Sequence, residues 1–349
     1  MNSPLALPHA PGLVTGQFTN EQGLEIVTYA FNPADSIRQS DAFLAVPLKG
    51  VVIALHGYGS HTQNQWFCAK EPGMVRTIYQ DSTIETLVKS GFAVRTLDHQ
   101  SFGRSQGQDG IQCSVPNQTS GAYFKKFDHL VDEAEYYITE IVMKEEILKG
   151  MPIFLFGISM GGATAIKLAH RAPERYAGMV TFAPMCSLEK VRKATVWNCI
   201  KNYHLEPLIG FLACVNPKLP LAKTTPNTMF PEMTKEYDDD PLAYQLATRI
   251  VVAKEFIDTT AEFMNTDFFA GLQTPSATFH SIHDTLTDME GTEALVEGSV
   301  NVKDKTFYRV GAGLDVDVKM WHNLLREPGC QQVLNKAMEW MNARCKSPV

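Results

Sequence analysis

The chain has 349 residues, of which 44% are apolar and 20% are charged. This composition is typical of a folded globular protein and excludes a mainly disordered or fibrous chain. At about 150 residues per domain, the length predicts two domains, or one large domain that carries an insertion. With 31 basic and 38 acidic side chains the formal net charge is −7, so the overall field repels polyanions and we expect no nucleic-acid partner.

The cysteines and the N-terminal residues favour a reducing compartment. Seven cysteines are scattered along the chain without a C-x-x-C pair, which favours reduced thiols over a disulfide framework. The first twenty residues contain no lysine or arginine and are interrupted by three prolines, unlike a secretory signal. No apolar run reaches the roughly 18 residues that a membrane-spanning helix needs. We therefore expect a cytoplasmic protein that acts, at most, at the periphery of membranes.

Short β-branched or aromatic runs alternate with longer segments of helical spacing, which is the pattern of βαβ units. The predicted strands are residues 51–55, 92–97, 153–156, 179–182, 277–280 and 306–310. The predicted helices are residues 84–88, 130–147, 163–172 and 331 to about 345. Strands without polar alternation are expected in a parallel sheet that helices cover on both faces, so the pattern predicts an α/β fold with a mostly parallel central sheet.

Residues 184–240 interrupt this alternation. The stretch is rich in proline, contains a strongly apolar segment at residues 205–215, and ends in the acidic triplet 238–240. We interpret it as a helical cap inserted between a first part of the core, residues 1–183, and a second part, residues 241–349. The alternative is that it forms further helices of the core.

The sequence Gly157-Ile158-Ser159-Met160-Gly161 is a G-x-S-x-G motif. Such a motif places a serine on a turn from a strand to a helix, so tight that small residues are needed two positions away on either side. A predicted strand precedes it and a predicted helix follows. Ser159 then lies at a helix N-terminus, where free N–H groups face a developing negative charge. We predict that Ser159 is a nucleophile, the alternative being a glycine-rich turn with an idle serine.

A second motif, His56-Gly57-Tyr58-Gly59, follows the first predicted strand. Its glycines allow the backbone to turn close to a reacting centre, so that the N–H groups of Tyr58 and Met160 converge on one oxyanion. His56 lies near enough to be mistaken for a catalytic base. We expect it to brace the loop instead.

These motifs resemble those of the α/β-hydrolase superfamily and, within it, the monoacylglycerol lipase and lysophospholipase family. The resemblance extends over residues 23–342 and includes the loop 98–107. It implies an α/β-hydrolase fold with an inserted helical cap, and oxyanion donors at the positions of Tyr58 and Met160. Three departures stand out. Ser101 replaces a usual glycine, which we expect to alter the loop backbone. Thr287 lies near a position where mammalian relatives often have cysteine. Residues 313–320 resemble an insertion.

A serine nucleophile needs a histidine to accept its proton and a carboxylate to hold that histidine. In α/β hydrolases the chain order is serine, acid, histidine. Among the histidines after Ser159, only His283 and His322 fall late enough after an apolar strand to be candidates.

The family resemblance assigns the two remaining roles. The stretch 278–287 resembles the loop that presents the acid after a strand, which implies Asp284, with Asp288 as the alternative. The stretch 321–328 resembles the family's H-x-L-x-x-E-P loop with one residue inserted or shifted, which implies that His322 is the base.

The substrate prediction depends on the cap, because catalytic residues define only the reaction type. Five cap residues are apolar at near-helical spacing, namely Leu205, Leu208, Ile209, Phe211 and Leu212. They can line an acyl channel, contact a bilayer surface, or simply pack the cap onto the core. The family resemblance favours a single-chain lipid ester, foremost a monoacylglycerol, cleaved through an acyl-enzyme.

Other functions stay open at this point. A lysophospholipase, a broad carboxylesterase and a serine aminopeptidase fit the same scaffold, and a non-catalytic receptor or scaffold is the alternative of another class. We expect no cofactor or metal, because the sequence has no HExxH, no phosphate-binding loop and no GxGxxG after a strand. The acidic net charge predicts that any membrane contact of the cap is apolar and transient. The sequence does not define the oligomeric state.

Overall fold

The structure is a computed structural model that describes residues 6–33, 47–108, 121–196 and 200–345. Its centre is an eight-stranded sheet. The strands, numbered in chain order, are β1 (Val14–Thr19), β2 (Glu25–Phe31), β3 (Gly50–Leu55), β4 (Phe92–Leu97), β5 (Ile153–Ile158), β6 (Gly178–Phe182), β7 (Ser276–Ser281) and β8 (Lys305–Val310). They lie in the order β1-β2-β4-β3-β5-β6-β7-β8. Strand β2 is antiparallel to both neighbours, and β3 to β8 are parallel.

The six predicted strands are confirmed, each within two residues of its expected bounds. Every residue of β3 to β7 is buried, which explains why these segments lack polar alternation. The sequence analysis missed β1 and β2, which form an antiparallel hairpin at one edge of the sheet.

Helices cover both faces of the sheet. They are α1 (Thr62–Trp66), α2 (Thr83–Lys89), α3 (Asp128–Tyr136), α4 (Met160–Arg171), α5 (Glu189–Lys193), α6 (Glu206–Val215), α7 (Pro231–Asp238), α8 (Ile250–Phe263), α9 (Thr266–Ala270), α10 (Met289–Gly298) and α11 (Cys330–Asn342). Helices α3, α4 and α8 contribute to one apolar cluster, and α2 and α11 contribute to the other. The predicted fold class, an α/β fold with a mostly parallel central sheet, is confirmed.

One predicted helix is shorter than expected. The spacing predicts a helix over residues 130–147, but α3 ends at Tyr136 and continues as a π-helical turn, Tyr137–Ile141, followed by two 3-10 turns. The apolar spacing alone does not distinguish these related helical geometries, because they differ mainly in the hydrogen-bond partner of each N–H group.

The described residues between β6 and β7 add no strand to the central sheet. They form helices α5 to α9 and two short antiparallel pairs. One pair joins Thr195–Val196 to Ile200–Lys201, and the other joins Pro220–Ala222 to Thr248–Arg249. The second pair crosses the predicted cap boundary at residue 240, and the limits of the cap remain a prediction.

The five cysteines in the described ranges are free thiols, namely Cys68, Cys186, Cys214, Cys330 and Cys345. Cys113 and Cys199 lie outside the described residues. No helix in the described part of the chain combines the length and the hydropathy needed to cross a bilayer.

Candidate active site

The predicted site residues follow the carboxyl ends of neighbouring parallel strands. Tyr58 follows β3, Ser159 follows β5, Asp284 follows β7, and His322 comes after β8. The carboxyl ends of parallel strands meet at one edge of a sheet, which is where α/β proteins bind their ligands. Residues that are far apart in the sequence therefore share this edge.

Ser159 occupies a strained turn between β5 and α4. Its backbone has φ 54° and ψ −116°, a conformation that non-glycine residues rarely adopt. Two backbone hydrogen bonds hold it there: its N–H donates to the carbonyl of Phe182 (3.0 Å), and its carbonyl accepts from the N–H of Met185 (3.1 Å). The G-x-S-x-G motif thus forms the strand-to-helix turn that the sequence predicts.

The glycines of the two motifs permit close backbone contacts. A Cβ on Gly157 would collide with the backbone of Gly161, and a Cβ on Gly161 would collide with the carbonyl of Leu55 at the end of β3. A Cβ on Gly57 would lie 3.5 Å from the Cβ of Ser159. The loop that carries Tyr58 therefore runs directly beside the serine.

The candidate oxyanion donors are the backbone N–H groups of Tyr58 and Met160. Within the described residues, neither the N–H of Tyr58 nor that of Met160 donates a hydrogen bond to another group of the protein. Met160 is the first residue of α4, and the first N–H groups of a helix have no partner within the helix. N–H groups of this kind can stabilise an oxyanion.

Asp284 and His322 form a buried pair. The Nδ1 atom of His322 lies 2.7 Å from Oδ2 of Asp284, which also accepts a hydrogen bond from the Thr287 hydroxyl (3.0 Å). The other carboxylate oxygen accepts from the N–H groups of Leu286 (2.7 Å) and Thr287 (3.1 Å). The carboxylate is thus oriented from several sides.

The pair shifts the protonation of both partners. Burial disfavours the charged carboxylate, but the adjacent imidazoles of His322 and His280 outweigh it and hold the pKa of Asp284 well below its usual range. Burial likewise disfavours the charged imidazole, but the Asp284 carboxylate outweighs it, so the pKa of His322 is raised above 6.5. Asp284 is therefore ionised at neutral pH and stabilises a proton on His322.

The alternative acid, Asp288, lies elsewhere. Its Oδ2 atom accepts hydrogen bonds from the Ser187 hydroxyl (2.9 Å) and the N–H of Lys190 (3.0 Å), just before α10. Asp288 therefore fastens two loops together, whereas the carboxylate that contacts His322 belongs to Asp284.

His56 braces the loop as predicted. Its Nε2 atom accepts a hydrogen bond from the N–H of His99 (3.0 Å), and its Nδ1 atom lies 2.9 Å from the carbonyl of Gly57. Burial, with a smaller contribution from His99, lowers the pKa of His56 to about 3. The ring is therefore neutral and connects the loop after β3 to the loop after β4.

Ser101, which departs from the family pattern, adopts φ 66°, a left-handed conformation that favours glycine. Its hydroxyl donates to the carbonyl of Tyr123 (2.7 Å), and its N–H donates to the carbonyl of Gln106 (3.0 Å). These hydrogen bonds hold a serine in a turn of this kind.

Sequence reasoning missed Glu327, which orients the loop of the histidine. Its buried carboxylate accepts hydrogen bonds from the N–H groups of Trp321 (2.6 Å), His322 (3.1 Å) and Asn323 (2.9 Å). The side-chain amide of Asn227 donates to the same carboxylate (3.0 Å). The sequence signal that could have identified Glu327 is its place in the E-P pair of the H-x-L-x-x-E-P loop.

The five predicted substrate-binding residues lie on or just before α6 and differ in their exposure. Leu208 and Phe211 are 52% and 64% exposed on α6. Ile209 and Leu212 are partly buried and pack against the core, and Leu205 is partly buried just before the helix. The apolar residues of α6 therefore face in two directions, one toward the protein and one toward solvent.

The sheet, the strained serine turn and the carboxylate–histidine pair define an α/β-hydrolase. In the described ranges no group of three or more His, Cys, Asp or Glu residues is arranged to hold a metal. Residues 46–329 match the model of the serine aminopeptidase family S33. Because this match covers most of the chain, the protein belongs to that family.

Individual relatives are esterases and lipases. The chain is 25% identical over 308 residues to caffeoylshikimate esterase of Arabidopsis thaliana, covering 86% of this chain and 79% of that protein. It is 27% identical over 264 residues to human monoglyceride lipase, covering 74% and 72%. A solved structure of a soluble variant of monoglyceride lipase from Saccharomyces cerevisiae, in complex with a substrate analogue, has a TM-score of 0.69 at 16% identity and covers 97% of both chains. The resemblance to monoacylglycerol lipases is confirmed, and these relatives support a carboxylic ester hydrolase.

Proposed function

We propose that this protein is a serine hydrolase that cleaves the carboxylic ester of a single-chain lipid, foremost a monoacylglycerol, to a fatty acid and glycerol. The observation that carries this proposal is the hydrogen-bonded pair of Asp284 and His322, located at the sheet edge where Ser159 occupies its strained turn. A buried carboxylate that holds a histidine and raises its pKa is the pairing that activates the nucleophile of serine hydrolases.

The proposed reaction proceeds in two stages. His322 takes the hydroxyl proton of Ser159 as its oxygen attacks the ester carbonyl, and Asp284 stabilises the resulting imidazolium. The N–H groups of Tyr58 and Met160 donate to the oxyanion that forms. The proton on His322 passes to the departing alcohol, which leaves an acyl-enzyme. Water, deprotonated by His322, then attacks the acyl group and releases the fatty acid and Ser159.

The preference for a lipid rests on α6 and on the relatives. Leu208, Phe211 and Val215 are 52%, 64% and 66% exposed on this one helix. Exposed apolar residues that cluster on one element are typical of surfaces that meet lipids or partners. Because the protein carries a net charge of −7, we propose that α6 contacts a membrane transiently through apolar groups.

The first test compares the hydrolysis of four esters by the wild type, Ser159→Ala and a control variant, Ser90→Ala, at the end of α2. The esters are a long-chain monoacylglycerol, the matching lysophosphatidylcholine, a caffeoyl ester and a short p-nitrophenyl ester. We expect the monoacylglycerol to give the highest kcat/KM. Ser159→Ala should lower kcat by about four to six orders of magnitude, and Ser90→Ala should not.

Each other outcome has a definite meaning. Wild-type rates in Ser159→Ala would show that the nucleophile is wrong. A preference for the lysolipid, the caffeoyl ester or the short ester would replace the proposed substrate with a lysophospholipid, an aromatic ester or a broad range of esters. Absence of hydrolysis of all four esters would favour a receptor or scaffold.

A further inference from the structure

The segment of residues 227–245, which contains α7, contacts the loop of residues 57–64 that carries Tyr58. Gly59 in this loop has φ 74°, and its carbonyl accepts a hydrogen bond from the N–H of Tyr244 (2.8 Å). The Tyr237 hydroxyl lies so close to Gly59 that a Cβ there would collide with it. The same hydroxyl donates to the carbonyl of Tyr244 (2.5 Å). Only glycine is compatible with both the conformation and this contact.

Asp240 makes a second set of contacts with the same loop. Its Oδ2 atom accepts a hydrogen bond from the side-chain amide of Asn64 (2.9 Å) and lies 3.0 Å from Nε2 of His61. Although burial alone would raise the pKa of Asp240, His61 and these hydrogen bonds hold it below its usual value. Burying a carboxylate destabilises the protein unless hydrogen bonds and opposite charges compensate it. The Asp240 side chain is therefore held at the place where His61 and Asn64 contact it.

The three aspartates of the acidic triplet, residues 238–240, differ in exposure. Asp238 and Asp239 are exposed, whereas Asp240 is 1% exposed and faces the loop. If the triplet served only as a solvated surface, all three carboxylates would be exposed, because burying a charge is unfavourable. The burial of Asp240 indicates a specific role for this carboxylate.

These contacts restrain Gly59, the residue that directly follows Tyr58. The N–H of Tyr58 lies along the chain between the end of β3 at Leu55 and this restrained glycine. The ring of Tyr58 also packs edge-on against that of Tyr244, with centroids 6.2 Å apart. An oxyanion donor is effective only when it is held in place before the reaction, because reorganisation would cost part of the stabilisation.

We propose that Tyr237 and Asp240 are positioning residues that hold the N–H of Tyr58 in the orientation needed to stabilise the oxyanion. This inference rests on the proposed function of the site. It also makes the contacts of Tyr237 and Asp240 a fixed support of the Tyr58 loop, and not part of a cover over the substrate.

The test uses Tyr237→Phe and Asp240→Asn, which remove one hydroxyl or one charge and keep the side-chain shape. The matched controls are Tyr136→Phe, which changes an exposed side chain at the last residue of α3, and Asp238→Asn, two residues from Asp240. The measurements are kcat and KM for a short p-nitrophenyl ester and the affinity for an alkyl trifluoromethyl ketone. The serine oxygen adds to the ketone carbon, its proton passes to His322, and the ketone oxygen becomes an oxyanion.

We expect kcat to fall about tenfold to a hundredfold in both variants, since complete loss of one oxyanion donor costs about 10² to 10³. The affinity for the ketone should fall by a similar factor, and KM should stay within about twofold, because the oxyanion exists only in the adduct and the transition state. The two controls should match the wild type. A merely structural role would lower thermal stability without this parallel loss of kcat and ketone affinity.

A rise in KM with unchanged kcat would overturn the proposal, because Tyr237 and Asp240 would then contact the substrate. Amide hydrogen exchange supplies a readout besides activity: the peptide that covers residues 57–64 should exchange about tenfold faster in both variants. Unchanged exchange in variants of an active enzyme would overturn the positioning role alone. Absence of ester hydrolysis by the wild type would instead overturn the proposed function.

Discussion

The protonation state of His322 controls whether Ser159 can act. Only the neutral imidazole accepts the serine proton, and the Asp284 carboxylate raises the pKa of His322 above 6.5. We therefore expect kcat/KM to increase with pH through the pKa of His322, with the midpoint above pH 6.5. A profile for a short ester between about pH 5 and 9 measures this midpoint. A midpoint below 6.5 would contradict the assignment of His322 or of its partner.

The partner can be tested separately. In Asp284→Asn the charge that stabilises the imidazolium is absent, so the pKa of His322 should fall and the remaining activity should rise at lower pH than in the wild type. The loss in kcat should be about 10⁴-fold. Asp288→Asn serves as the control, because Asp288 contacts Ser187 and Lys190 instead of the histidine. Equal midpoints in the two variants would argue against Asp284 as the acid.

Helix α6 presents apolar side chains in two directions, and each direction predicts a different effect of substitution. Ile209 and Leu212 pack against the core, whereas Phe211 is 64% exposed. Removing a phenyl ring that enters a lipid phase costs about 1.5–3 kcal/mol, which corresponds to about tenfold or more in binding. Phe211→Ser should therefore weaken binding to phosphatidylcholine vesicles about tenfold and leave the free energy of unfolding within about 0.5 kcal/mol of the wild type.

Two controls define that experiment. Leu212→Ser should lower the free energy of unfolding, because Leu212 packs against the core. Ile147→Ser, which changes a residue that is 56% exposed outside α6, should alter neither property. Vesicle binding that Phe211→Ser does not change would exclude this face of α6 as the lipid contact.

Across the whole molecule, a buried cluster of charges connects three distant segments. Arg76 donates from Nε to Glu236 on α7 (2.8 Å), and Nη2 of Arg326, four residues after His322, lies 3.5 Å from the same carboxylate oxygen. Burial and the nearby Arg76 lower the pKa of Arg326 to about 10. One carboxylate therefore compensates two buried guanidinium groups.

Removing that carboxylate should destabilise the protein. Glu236→Gln leaves both guanidinium groups without a negative partner on α7, and breaking a buried ion pair costs about 3–5 kcal/mol. We expect the free energy of unfolding, measured with urea, to fall by about 3 kcal/mol or more. Glu174→Gln, an exposed change, should have little effect. A loss in Glu236→Gln no larger than in Glu174→Gln would show that solvent reaches the cluster.

Local patterns in the sequence determined most strands of the central sheet and the turn at Ser159. Six of the eight strands of the central sheet were predicted, because continuous apolar runs are visible without knowledge of their partners. The turn at Ser159 was predicted because its glycines follow from a local steric requirement. The sequence did not reveal β1, five of whose six residues are exposed, and its partner β2. Strand β1 carries little apolar signal of its own, and its pairing with β2 stabilises it.

Only the tertiary structure decided which chain-distant groups meet. It placed Asp284, and not Asp288, against His322, and it buried Asp240 among three consecutive aspartates. It also directed the apolar residues of α6 both toward the core and toward solvent. A sequence motif reflects the local steric constraints on the backbone of one segment. Which loops contact each other depends on the order of the strands in the sheet. That order results from packing over the whole chain.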